Sequence, residues 1–209
     1  MIEKRKSHWE NVYATKQPDE VSWTEAFPQV SLNFISSLGV SKNARLVDIG
    51  GGDSNLVDHL LNIGYTDITV LDISANAIER AKLRLGEKSK AVTWIVSDIL
   101  DFKPNNTYEV WHDRATFHFL TNKNDIETYK SLVNANVTGN LIIGAFSENG
   151  PKKCSGLEIS QYSEDGLVNA FRKNFERISC ITHDHTTPFG TSQSFQYCSF
   201  KKKSMSKLS

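Results

Sequence analysis

The chain has 209 residues, with 24 basic and 24 acidic side chains and a formal net charge of zero. That length suits one domain with a substantial core, and the neutral balance argues against a broad nucleic-acid surface. No apolar run approaches the ~20 residues of a membrane span, so no membrane partner is expected either.

The three cysteines, Cys154, Cys180 and Cys198, are odd in number and widely spaced, and no C-x-x-C occurs. This favours reduced thiols and a cytoplasmic setting. Met1 to Lys6 has no apolar signal core. Residues 204–209 read as a disordered tail. Ser206-Lys207-Leu208 resembles a peroxisomal address, but Ser209 follows it, so no such address is expected.

Two helices are expected first, over 7–15 and 28–38. Pro28 suits a first helical position and Gly39 a C-terminal stop. A first strand follows at about 45–49. Ser54 is placed to cap a helix whose apolar positions Leu56, Leu60, Leu61 and Ile63 lead to Gly64. The second strand is 68–72, and Ser74 caps a helix ending near Gly86. Strands at 92–97 and 108–112 come next, then a helix over about 125–137. Leu141 to Phe146 is almost entirely apolar, as a central strand buried on both faces would be. Ser163 starts a helix ending near Asn174. Two closing strands, 175–183 and 194–201, are joined by a loop with Pro188 and Gly190. Strand and helix alternate, which predicts an α/β domain over 1–203 with residues 1–40 as an N-terminal helical lid segment.

The richest motif is Leu46-Val47-Asp48-Ile49-Gly50-Gly51-Gly52-Asp53-Ser54. An apolar run ending in an acid and a glycine-rich turn reads as a strand feeding a helix. Gly50 and Gly52 allow a tight turn and a close approach of ligand to backbone. Asp72 closes the next apolar run, 22 residues after Gly50. An acid at about that spacing, ending a neighbouring parallel strand, binds the hydroxyls of a ribose. The pair predicts a nucleoside-containing ligand at the carboxyl edge of the sheet. A dinucleotide fingerprint needs Gly or Ala where Asn55 stands, and Asp53 repels a phosphate.

Asp48 to Ser54 instead resembles motif I, D-x-G-x-G-x-[GS], of class I S-adenosylmethionine-dependent methyltransferases. That cofactor has no phosphate, and its cationic groups favour nearby carboxylates. The resemblance implies a Rossmann-like, doubly wound, seven-stranded sheet. Such a sheet is mostly parallel, with an antiparallel last strand and helices on both faces. It also implies that Gly50, Gly51, Gly52 and Ser54 cradle the cofactor and that Asp72 binds its ribose. Asp98 would accept from the adenine amino group, with Ile73 and Ile99 on the ring's two faces. Trp9, Tyr13 and Trp23 would fold over its methionine half, where π faces attract a sulfonium. For Trp9 and Tyr13 an aromatic core stripe is the equal alternative.

Trp111 to Leu120 carries two histidines, an acid and an arginine among aromatics. Asp113-Arg114-Ala115-Thr116 resembles the D-[KR]-[GA]-T element of a group with several protein lysine methyltransferases. The pattern from His8-Trp9 through His112-Asp113-Arg114 to Cys154-Ser155-Gly156 is most similar to small bacterial-type enzymes related to methyltransferase-like protein 12. His112 and His118 are base candidates, because neutral imidazole is available near pH 7. Asp113 is the candidate to orient a histidine or hold an amine. Arg114 is the candidate to bind a carboxylate, of the cofactor or of the acceptor. Each also reads as a packed polar residue. His183 and His185 share a strand face, but a metal site needs a third ligand, so none is expected.

The expected function is methyl transfer from S-adenosylmethionine to a small-molecule acceptor. A protein lysine is the alternative acceptor. Methylation of a soft thiol or metalloid substrate, a nicotinamide oxidoreductase and a binding protein without catalysis are the lesser alternatives.

Overall fold

Leu46–Ile49 (β1) and Ile68–Asp72 (β2) are buried at every position, as strands covered on both faces must be. They are inner strands of a seven-stranded sheet in a computed structural model that describes residues 2–204. Val92–Val96 (β3), Tyr108–Arg114 (β4) and Val137–Phe146 (β5) complete the parallel part. Phe175–Thr186 (β8) and Ser192–Lys202 (β9) close it. The order is β3-β2-β1-β4-β5-β9-β8, with β9 antiparallel to both neighbours. This is the doubly wound sheet that the motifs imply.

The helices are Ile2–Thr15 (α1), Gln29–Ser37 (α2), Leu56–Asn62 (α3), Ala75–Leu85 (α4), Lys123–Asn136 (α5) and Glu164–Phe171 (α6). Ser74 caps α4 and Ser163 caps α6, as read from the sequence. At α3 the cap position is Asn55 rather than the expected Ser54, whose hydroxyl accepts from Leu56 N. The sheet separates two apolar cores. One holds Trp111, Phe117, Tyr129 and Phe171; the other holds Val110, Ile142, Phe146 and Tyr197.

Several expectations are corrected. The lid helix α1 begins at Ile2 rather than near 7, and β5 begins at Val137 rather than 141. A two-stranded hairpin, Lys153–Cys154 (β6) with Leu157–Glu158 (β7), was not legible. Its strands are too short for periodicity to show. The expectation of three thiols fails: Cys180 and Cys198 are directly opposed on β8 and β9 and form a disulfide. Cys154 is a buried free thiol. Of the 204–209 tail, residues 205–209 lie outside the described residues. No helix among the described residues is long and apolar enough to cross a membrane.

Candidate functional site

The carboxyl ends of the parallel strands open into a cavity of about 1260 Å³, its mouth included. Ligands bind at this edge of open α/β sheets, where the strand order reverses. Here the reversal lies between β1 and β4, whose ends carry the glycine turn and His112.

The glycine turn is held by backbone bonds. Gly50 N and Gly51 N both donate to Leu71 O, at 2.7 and 3.3 Å. Gly50 has φ of +68°, and a Cβ there would strike the Thr116 hydroxyl. Gly52 does a different job from its neighbours. It is not among the lining residues, and its N–H donates to Asp72 Oδ2 at 3.0 Å. A Cβ on it would lie 2.6 Å from Ala77 Cβ, so it is small to let the turn pack on α4. Asp72 Oδ1 accepts from Ser74 N at 2.8 Å. Burial pushes its carboxyl up to about 6, against the pull of these two amides.

Ile73, Asp98 and Ile99 line the same cavity. Asp98 already has partners: Oδ1 accepts from Leu100 N, and Arg5 Nη2 lies 3.2 Å from Oδ2. Arg5 reaches it from α1 and also pairs with Asp125 at 3.4 Å. Asp53 is matched by Arg80 at 3.5 Å and Arg84 at 2.9 Å, so its charge is compensated from α4.

The lid is fastened by Glu10, which sequence reasoning missed. Its carboxylate accepts from Ser74 Oγ, Ala75 N and Asn76 N at 2.8–3.1 Å. A carboxylate there meets the unpaired amides and positive dipole end of α4. Although burial works the other way, these donors hold Glu10 below the usual carboxylate range. Arg80 adds bonds to the carbonyls of Tyr13 and Lys16 at the end of α1. With α1 in place, Trp9, Tyr13 and Trp23 all line the cavity beside Phe119. Trp9 meets Trp23 and Phe119 edge-on, with centroids 5.6 and 5.2 Å apart.

The polar residues of β4 divide by strand alternation. His112 and Arg114 line the cavity. His112 Nδ1 is 2.7 Å from Asp48 Oδ1, and Nε2 is 2.9 Å from Ser31 Oγ on α2. The Asp48 carboxylate accepts, so Nδ1 carries a hydrogen towards it. Asp113 faces the other core and does not line the cavity. It accepts from Tyr129 OH at 2.6 Å and from Thr116 N and Phe117 N, bracing the turn after β4. Burial raises its carboxyl to about 6. His118 is also outside the cavity. Its ring packs between Phe119 and Phe146, and its Nδ1 accepts from Phe146 N at 3.3 Å. Burial, with Arg114 adding, drives it down to about 3. The two residues expected to act as base and orienter are therefore buried supports of the β4 turn.

Arg114 is framed by residues far away in sequence. Nε donates to Tyr197 OH at 2.9 Å, Nη1 donates to Trp23 O at 3.0 Å, and Glu25 lies 3.3 Å from Nε. Its guanidinium sits 4.8 Å over the Phe195 ring. His185 Nδ1 is 3.4 Å from Glu25, and its Nε2 donates to Ser22 O. His185 thus belongs to the frame of Arg114, and among the described residues no group of three metal-ligating side chains forms. Burial pulls Glu25 upward, yet His185 and Arg114 hold it below the usual carboxylate range.

Residues 47–136 match the family model described as a methyltransferase domain. Over 121 residues the chain is 24% identical to the eEF1A lysine and N-terminal methyltransferase of Mus musculus, covering 57% of this chain and 17% of that protein. Over 80 residues it is 31% identical to the malonyl-acyl-carrier-protein O-methyltransferase 2 of Ilyobacter polytropus, covering 38% of this chain and 30% of that protein. The chain spans less than a third of either relative's length. One solved structure, from work on converting a disulfide bond into a thioacetal group during echinomycin biosynthesis, matches with a TM-score of 0.78 at 17% identity. That match covers 96% of this chain and 94% of the other. Residues 47–136 thus resemble a methyltransferase domain, and the chain as a whole has the fold of that solved structure.

Proposed function

We propose that this methyltransferase domain is catalytically active and transfers a methyl group from S-adenosylmethionine to a small-molecule acceptor. One observation carries the reading. A single cavity joins the glycine turn, the carboxylates Asp72 and Asp98, and the aromatic wall of Trp9, Tyr13 and Trp23. The residues fit the cofactor. Asp72 is a buried carboxylate whose two oxygens each keep a lone pair beyond their amide partners. Asp48 Oδ2 is buried without a partner, beside a turn in which a Cβ on Gly51 would collide with it.

When bound, S-adenosylmethionine supplies an electrophilic methyl group. Gly50, Gly51 and Ser54 form the cradle, and Gly52 shapes it from behind. Asp72 accepts from the ribose hydroxyls. Ile73 and Ile99 flank the adenine, and Asp98 is its polar partner once Arg5 shares that carboxylate. Trp9, Tyr13 and Trp23 exclude water from the reacting centre and offer π faces to a cation. His112, held by Asp48, keeps Nε2 available as a proton acceptor through Ser31.

A protein lysine is the second acceptor reading. The Asp113-Arg114-Ala115-Thr116 element and the name of the mouse relative favour it. The acyl-carrier relative's name favours a small acceptor group. The kinship with the methyltransferase-like protein 12 group rests on its motifs.

Two experiments test these readings. Calorimetry with S-adenosylhomocysteine and with NAD should show binding of the thioether alone; binding of NAD alone would overturn the methyltransferase reading in favour of an oxidoreductase. Tritiated S-adenosylmethionine, incubated with enzyme and cell extract, should label the small-molecule fraction. Label confined to protein would reverse the acceptor assignment.

A further inference from the structure

We propose that Arg114 anchors an acceptor subsite, and that the methyl acceptor is an anion carrying a carboxylate on an apolar body. The inference rests on the methyltransferase reading and names the substrate class of the same cavity.

Arg114 is built in place rather than merely present. Gly144 sits between it and β9 in register, opposite Arg114 on one side and Tyr197 on the other. A Cβ on Gly144 would lie 2.6 Å from the Tyr197 ring, so only glycine lets that ring cross β5. The Tyr197 hydroxyl then reaches Arg114 Nε, while Trp23 O takes Nη1 and Phe195 lies beneath. The guanidinium is a planar fork whose orientation these contacts define. Nη2 is left buried and without a hydrogen-bond partner. Two N–H donors with no acceptor in a low-dielectric site are costly, and a ligand oxygen relieves that cost.

The contacts of Glu25 run to Arg114 Nε and to His185 Nδ1, at 3.3 and 3.4 Å. A ligand carboxylate would give Nη2 the acceptor it lacks, and a charge-assisted bond to guanidinium is among the stronger polar contacts. Glu25 itself excludes a ligand that brings its anion to the Nε edge, which leaves the Nη2 side.

Position sets this anion apart from the nucleoside half of the cofactor. Asp98, Asp72, the glycine turn and Arg114 follow the ends of β3, β2, β1 and β4, four neighbouring strands. At about 4.8 Å per strand, Arg114 stands roughly 14 Å along the sheet edge from Asp98. Its frame leans farther still, across β5 towards β9. The residues that fit the nucleoside half stand at the first three strand ends, and Arg114 stands at the fourth. The wall beside it is aromatic: Trp9, Trp23 and Phe119. That pairing of one donor edge with a ring-lined wall suits a carboxylate on an apolar body.

The probes are sodium benzoate and its neutral counterpart benzamide, titrated by calorimetry into protein saturated with S-adenosylhomocysteine. Benzoate should bind saturably and benzamide at least about tenfold more weakly. Arg114→Gln should weaken benzoate by about tenfold or more and leave S-adenosylhomocysteine within about threefold. Three results would overturn the subsite: no saturable benzoate binding, equal binding of acid and amide, or unchanged benzoate affinity in Arg114→Gln. A fourth would reassign it. If Arg114→Gln loses S-adenosylhomocysteine but keeps 5′-methylthioadenosine, which lacks the amino-acid carboxylate, the arginine grips the cofactor. Should that variant not fold, the benzoate-to-benzamide contrast in the wild-type protein decides. Failure of S-adenosylhomocysteine to bind the wild type removes the methyltransferase reading, and this subsite with it.

Discussion

Asp72→Asn is the sharpest test of the cofactor site, because the structure prices both its effect and its pH dependence. The carboxylate accepts Gly52 N and Ser74 N and has one free lone pair on each oxygen for a ribose hydroxyl. Hydrogen bonds to a charged group contribute about 1.5–3 kcal/mol each. An asparagine keeps one acceptor and turns the other atom into a donor facing an amide N–H. The net loss in S-adenosylhomocysteine binding should be about 2–3 kcal/mol, or roughly 30- to 150-fold in Kd. Burial sets the carboxyl at about 6, and ribose donors favour its ionised form. Wild-type affinity should therefore fall by about tenfold between pH 7 and pH 5, while the asparagine variant stays flat across that window. Without ligand the sign is opposite. A folded pKa raised above the unfolded ~3.9 gives a relative stabilisation that is full below ~3.9 and lost as pH rises through about 6. The size is about 3 kcal/mol. Calorimetry at pH 5, 6, 7 and 8 reads the binding, and urea unfolding reads the stability. A Kd within twofold of wild type in Asp72→Asn, or wild-type affinity that rises towards pH 5, would refute the assignment.

Glu10→Gln should cost about 1–2 kcal/mol, because it removes a charge from three donors at the start of α4; limited proteolysis should then cut within α1 faster than in the wild type. His118→Phe should flatten the acid limb of the stability curve. A histidine depressed to about 3 stabilises the fold above its unfolded ~6.5, and that contribution is lost as pH falls through about 3. Denaturant midpoints at pH 7, 5 and 4 should thus converge between variant and wild type, and parallel curves would contradict the burial argument. Tyr129→Phe should destabilise by about 2–4 kcal/mol, since it strands both Asp113 Oδ2 and the Trp111 indole N–H, which donates to the same hydroxyl at 3.1 Å. A thermal-unfolding shift near zero would show that water replaces the phenol.

The elements that sequence reading placed are those with local causes. Each buried strand is a short apolar run, and Ser74 and Ser163 sit one position before their helices, where a hydroxyl meets unpaired amides. The glycine turn and Asp72 form a spaced pair within one β-α-β unit, so nearby chain alone determines their proximity. The sheet order and antiparallel β9 were legible only through the resemblance to a family, since pairing of β9 between β5 and β8 has no local signature.

What only the tertiary structure decided is which polar groups meet. His112, Asp113, Arg114 and His118 look alike in sequence, a dense polar set among aromatics. Strand alternation turns His112 and Arg114 to the cavity and Asp113 to the opposite core, and the 3-10 turn Phe117–Phe119 buries His118 against Phe146. The partners that give these residues their chemistry come from distant segments. Ser31 on α2 meets His112, Trp23 and Tyr197 frame Arg114, and Glu10 on α1 fastens the lid to α4. Separations of 65 to 91 residues carry no periodic signal. Such contacts exist because burial brings the segments together, and a buried polar atom must then find a partner among whatever the packing supplies.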